Sequence, residues 1–247
     1  MKKIIENFKK FINEKDDVKY QIFLDMDGVL VDMTKGYIDE ANINLERLRK
    51  GEQASDIHDT EKRAKALEKL KRLMDAEGRE KITTAEFEHI TFLKDSKQEY
   101  PGADKQIERY FYALALKNYE FWEGLPMMPG AQGLVEAANK ASTYSGGAYI
   151  LSAPMDQDTI DGKMAWIGLR KKSWLRGIKK IFIEEDKGGF LKTLELPANV
   201  TPILIDDRIK YINQFRNSGV KNATAWKYNP LEPVTSSQKV KNKLVKL

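Results

Sequence analysis

Five short runs in this chain are dense in branched and aromatic side chains: Gln21 to Asp25, Ala148 to Ser152, Lys180 to Ile183, Pro202 to Asp206 and Ala223 to Trp226. Each is shorter than a helix and apolar at successive positions, which suits a strand buried on both faces. Between the later runs apolar residues return at helical spacing, in Gly130 to Lys140 (Leu134, Val135, Ala138), Gly162 to Leu169, and Ile209 to Ser218 (Ile212, Phe215). Strands alternating with helices predict right-handed crossovers. The expected fold class is therefore α/β, with a doubly wound, mainly parallel, Rossmann-like sheet covered on both faces.

The pattern changes between the first run and the second. From Met33 to Met127 nothing reads as a strand and much reads as helix, so we expect a core of residues 1–32 and 128–247 and an inserted helical cap of residues 33–127. Within the insertion, Leu67, Leu70, Leu73 and Met74 form a narrow apolar stripe flanked by Lys62, Arg63, Lys65, Lys69, Lys71 and Arg72. That predicts a solvated helix, Glu61 to Glu80, packed on a neighbour along one face. Ile4, Ile5, Phe8, Phe11 and Ile12 predict an amphipathic helix at the start of the chain. Ser236 to Leu247, with Val240, Leu244 and Leu247 at helical spacing among lysines, reads as a terminal helix or a frayed tail.

Composition narrows the chemistry. With 247 residues, 41% hydrophobic and 32% charged, 8 Pro and 16 Gly, the chain is neither collagen-like nor wholly disordered. No apolar run approaches the roughly 20 residues a spanning helix needs, and charge breaks up the N-terminal segment, so neither a membrane span nor a signal peptide is expected and the cytoplasm is the expected location. Zero Cys excludes disulfides, thiolate metal sites and a cysteine nucleophile. Only His58 and His89 are present, which turns any metal chemistry toward hard oxygen ligands. The excess of 42 basic over 37 acidic residues, net +5, suits phosphate-bearing partners and is too small to favour nucleic acid.

The informative segment follows the first strand directly: Asp25-Met26-Asp27-Gly28-Val29-Leu30-Val31-Asp32. Carboxylates two residues apart on an extended chain point the same way and reach one cation or one substrate group. Their repulsion calls for a compensating positive charge, and a divalent metal is the simplest candidate. Taken alone, Asp-x-Asp-Gly is as readily a turn. The balance shifts at Ile203-Leu204-Ile205-Asp206-Asp207-Arg208, where a second apolar strand ends in adjacent acids. Ligands of open parallel sheets bind beyond the carboxyl ends of strands, and Ser152 supplies a polar group at a third such end. Lys163 and Lys187 are the candidate cations. Together these parts make a phosphoryl-transfer set: nucleophile, acid/base, metal cage and phosphate clamp.

In this order the residues resemble the haloacid dehalogenase superfamily, with its DxDG after the first strand, Ser or Thr after the second, a downstream Lys, and a final acidic pair. The blocks DMDGVLVD, FWEGLPMMPGA, ILSAP, GKMAW, EEDK and LIDDR are similar to those of the 5'(3')-deoxyribonucleotidases; they cover the core well and most of the insertion poorly. The resemblance implies a Mg2+-dependent phosphomonoesterase in which Asp25 forms an aspartyl phosphate and Asp27 serves as general acid and then base. It implies Mg2+ on Asp25, the Asp27 carbonyl and Asp207, with Asp206 in support, and phosphoryl oxygens held by Ser152 and Lys187 with Lys163 nearby. Its substrate would be a small phosphate, a nucleoside monophosphate, with Phe121 and Trp122 bordering the pocket and the insertion closing over it. Two departures stand out: Glu185 occupies the position of a usual arginine, and Ala153 that of a usual hydroxyl residue. The alternatives are a phosphatase for another small phosphate or a nucleic-acid end, and a non-catalytic binding module using the charged helix of the insertion.

Overall fold

The computed structural model describes residues 18–95 and 102–247; the amphipathic segment expected at the N-terminus lies outside them. The core is a five-stranded sheet of β1 (Lys19–Leu24), β2 (Tyr149–Ser152), β3 (Lys180–Ile183), β4 (Val200–Asp206) and β5 (Thr224–Lys227). All pairings are parallel, in the order β3-β2-β1-β4-β5. The chain runs outward from β1 to β2 and β3, then crosses back to β4 and β5, so the switch in direction falls beside β1. In open α/β sheets that is where ligands bind.

The crossovers are α7 (Ala131–Ala141), α8 (Gln157–Arg170), α9 (Lys187–Thr193) and α10 (Ile209–Arg216), with α11 (Pro233–Leu244) packed on α7. The C-terminal stretch is thus a docked helix whose Val240 and Leu244 are buried. One face of the sheet packs Ile22, Leu24, Ile150, Ile203 and Ile205 against Leu134, Val135, Trp166 and Ile167. The other packs Phe23, Leu151 and Leu204 against Leu191, Ile212 and Phe215. Alternate strand residues feed opposite layers, as the pleat requires. No helix among the described residues is long and apolar enough to cross a membrane.

Between β1 and β2 lie α1 (Met33–Arg49), α2 (Ala54–Ile57), α3 (Glu61–Ala76), α4 (Thr84–Asp95), α5 (Gly102–Ala115) and α6 (Tyr119–Gly124). The insertion has its own apolar cluster, in which Leu67, Leu70 and Met74 of α3 meet Ala41 and Leu45 of α1 and Ile107, Tyr110 and Leu114 of α5. Helix α3 ends four residues before the expected Glu80, because Gly78 turns to φ +68° and Arg79 N–H bonds back to the Met74 carbonyl. Arg63, expected on a solvated face, is instead 5% exposed and donates to the Ala113, Leu116 and Lys117 carbonyls at the end of α5.

Candidate active site

Register brings the acidic pairs together. Leu24 pairs with Ile205 of β4 and Ile150 of β2, and the Asp25 N–H donates to the Ile205 carbonyl at 2.9 Å. Asp25 therefore emerges beside Asp206, and carboxylate oxygens of Asp25, Asp206 and Asp207 lie within 4.8 Å of one another. Gly28, at φ +72°, makes this approach feasible: a Cβ there would sit 2.7 Å from Asp207 Oδ2. Asp32 closes the motif by capping α1 through the Lys35 N–H.

Two lysines converge on the cluster. Lys187, first residue of α9 and fully buried, donates to Asp25 Oδ1 at 2.8 Å and Asp206 Oδ2 at 2.7 Å. Its ammonium lies 4.5 Å from the Tyr211 ring centroid. Burial opposes its charge, but the Asp25 and Asp206 carboxylates outweigh that and hold it above the usual lysine range. Lys163, also fully buried, donates to Asp27 Oδ2 at 2.6 Å, Ser152 Oγ at 3.0 Å and the Ala153 carbonyl at 2.6 Å. The sequence stretch around Asp25 held no counter-charge; the fold imports two.

Two lysines do not balance four carboxylates. Burial raises the Asp207 carboxyl well above the carboxylate range, and Asp25, Asp206 and Asp27 raise it further. Asp206 is raised by burial and by Asp25 against the pull of Lys187. Asp27 is likewise raised, by burial and then by Asp25, while Lys163 opposes. Asp207 Oδ1 is buried without a hydrogen-bond partner. An all-oxygen donor set with an orphaned, repelled carboxylate fits a hard divalent cation such as Mg2+, which takes few protein ligands and keeps waters. Both Asp206 oxygens are already engaged, by Lys187 and by the Arg208 N–H, which suits a supporting place.

The remaining expected residues take other positions. Trp122, 1% exposed, gives its indole N–H to the Ala115 carbonyl at 2.8 Å, and its ring centroid lies 4.8 Å from the Lys163 ammonium. Phe121, 9% exposed, stacks on Tyr37 at 4.9 Å. Helix α8 can hold Lys163 this close because Gly162 has no Cβ: one there would lie 2.5 Å from Trp122 Cβ. Tyr37 of α1, which also stacks on Phe111, was not singled out by the sequence. Burial raises its hydroxyl and the Asp27 charge raises it further, which places it in the field of the site. A cavity of about 890 Å³ lies elsewhere, within the insertion, lined by Asn42, Arg49, Asp75, Arg79 and Lys81 among others. Its arginines are already paired, Arg49 with Asp75 and Arg79 with Glu77 and Asp104.

No protein-family model and no curated protein matches the chain. Solved structures align with it over most of its length at low identity. A haloacid dehalogenase-like hydrolase from Burkholderia xenovorans is 15% identical, with 85% of this chain and 82% of that one covered and a TM-score of 0.45. A haloacid dehalogenase-like family hydrolase from Xanthomonas campestris is 13% identical, with 93% and 94% covered and a TM-score of 0.42. A hydrolase from Pseudomonas syringae is 16% identical, with 90% of each chain covered and a TM-score of 0.41. At such identities the chemistry has to be read from the residues themselves.

Proposed function

We propose that this protein hydrolyses phosphomonoesters through an aspartyl phosphate on Asp25, with Mg2+ as cofactor and a nucleoside monophosphate as substrate. The observation that carries the reading is the convergence of Asp25, Asp27, Asp206 and Asp207 with Lys163 and Lys187 at the carboxyl ends of adjacent parallel strands. A structural role alone gives no reason to gather four carboxylates, Asp25 and Asp206 buried and Asp27 and Asp207 half-buried.

Lys187 fixes one oxygen of Asp25, leaving the other to attack phosphorus while the bond from phosphorus to the leaving oxygen breaks. Lys187 and Ser152 would hold the phosphoryl oxygens. Asp27, its carboxyl raised and its Oδ1 free of partners, gives a proton to the departing alcohol. It then takes a proton from a water that attacks the aspartyl phosphate, releasing phosphate and restoring Asp25. Bound by Asp25, the Asp27 carbonyl and Asp207, with Asp206 in support, Mg2+ would neutralise the carboxylates and draw charge from the phosphoryl group.

Substrate choice falls to the cap, residues 33–127. Tyr37, whose ring already stacks on Phe111 and Phe121, lies in the field of the Asp27 charge and would border a nucleobase or sugar. Phe121 and Trp122 form the packed wall behind it. The test is hydrolysis of a generic aryl phosphate with and without Mg2+. Activity that needs Mg2+ and disappears in a folded Asp25→Asn variant is the expected result; equal rates for variant and wild type would overturn it. A panel of nucleoside monophosphates, sugar phosphates and phosphorylated oligonucleotides then fixes the substrate class.

A further inference from the structure

The loop joining α8 to β3 carries a charge imbalance that the modest net charge hides. From Gly162 to Ile183 there is no acidic residue, and Arg170, Lys171, Lys172, Arg176, Lys179 and Lys180 crowd into eleven positions. Leu175 and Ile178, 0% and 4% exposed, anchor the loop, and Trp174 packs on Trp166 with ring centroids 5.7 Å apart. With the apolar residues turned inward, Lys171, Lys172, Ser173, Arg176, Lys179 and Lys180 face solvent. Gly177 lies against Asn139, which adds the exposed Lys140 at the end of α7 to the same surface. Among the described residues, none of Lys140, Lys171, Lys172, Arg176, Lys179 and Lys180 forms an ion pair. The surface sits at the amino ends of β2 and β3, where Lys179 N–H bonds the Ala148 carbonyl, and the candidate active site sits at the carboxyl ends.

We propose that this surface binds the phosphodiester backbone of a nucleic acid without regard to base sequence. Four cations on the anchored loop, with Lys180 opening β3 and Lys140 near the end of α7, form no ion pair among the described residues and repel one another, and a string of phosphates relieves that repulsion while releasing counterions. The Ser173 hydroxyl adds a neutral donor of the kind that contacts phosphate. Insertion into a lipid surface needs an apolar face, and the exposed apolar side chains nearest these cations along the chain, Tyr144, Met164 and Leu169, are separated in sequence. A protein partner would seek an apolar centre, which this loop turns inward.

The test is binding of a short labelled DNA duplex to the full chain across a salt series. Six phosphate contacts predict a slope of log affinity against log salt of about −5. The variant Lys171→Gln, Lys172→Gln, Arg176→Gln should lose at least tenfold in affinity at low salt and flatten the slope to about −3. The control Lys239→Gln, Lys243→Gln, Lys246→Gln removes the same charge from α11 and the residues just after it and should bind as wild type. Absence of binding at low salt, equal weakening in both variants, or preference for anionic vesicles over the duplex would each overturn the proposal.

Discussion

Lys163 and Asp27, 136 positions apart, meet at 2.6 Å, and the lysine spends its other two hydrogen bonds on Ser152 and the Ala153 carbonyl. Such a lysine is a holder. It fixes Asp27 Oδ2 and leaves Oδ1, the oxygen that serves as acid and base in the proposed reaction, buried and unpartnered. Substituting Lys163→Met should leave the fold intact and lower kcat on an aryl phosphate by about 100-fold or more, the usual worth of a positioned general acid and base. KM should move far less. Steady-state kinetics with circular dichroism as the fold control checks this; an unchanged kcat would remove Lys163 from the reaction.

Burial first, then Asp25, Asp206 and Asp27, raise the Asp207 carboxyl well above the carboxylate range. Removing its charge relieves repulsion when no metal is bound, so Asp207→Asn should melt higher than wild type without Mg2+. A relief of about 1 kcal/mol corresponds to roughly 2–4 °C for a chain of this size. Added Mg2+ should stabilise the wild type by mass action, by about 2.7 kcal/mol at a hundredfold excess over Kd, raising its Tm, and barely move the variant. Thermal melts with Mg2+ and with a chelator separate these outcomes, and a variant that responds to Mg2+ like wild type would take Asp207 out of the metal set.

The strands and the acidic pairs were legible because their signals are local: an apolar run, then acids at the strand end. Both lysines were visible as candidates, yet their partners were not. Lys187 reaches Asp25 across 162 positions, and no periodicity encodes a contact of that range. At Asp25 and Asp27 the sequence points to a metal as the counter-charge, whereas two buried lysines supply part of it. In the insertion, apolar spacing marked which face of α3 is buried but not that Arg63 would be drawn in by the free carbonyls ending α5. Tyr37 had no signal, since an aromatic on a helix next to a site looks like any core aromatic.

His58 gives the cap a pH dependence of its own. Its ring nitrogen bonds the Tyr110 hydroxyl at 2.7 Å, and burial first, then Arg63, lowers its pKa to about 4. In the unfolded chain it titrates near 6.5. Above that value both states are neutral and nothing is lost. As pH falls from 6.5 toward 4, only the unfolded state takes up the proton, so stability drops, by at most about 3 kcal/mol. Denaturant melts from pH 7 to 4 should show this decline, and His58→Gln should flatten that part of the profile. Identical slopes for variant and wild type would assign the decline to other groups.

Gly28 tests whether the closeness of the two acidic pairs matters for activity. Alanine there is disfavoured twice: by φ +72°, and by a Cβ placed 2.7 Å from Asp207 Oδ2. The backbone part costs about 1 kcal/mol, a few degrees of Tm at most. The steric part falls on Asp207, which has to leave its present place, and placement errors of about 1 Å in such sites cost on the order of 100-fold in rate. Gly28→Ala should therefore stay folded while losing most of its kcat and its Mg2+-dependent rise in Tm. If instead the variant keeps wild-type turnover, Asp207 need not stand where it does, and the metal cage drawn from these carboxylates fails.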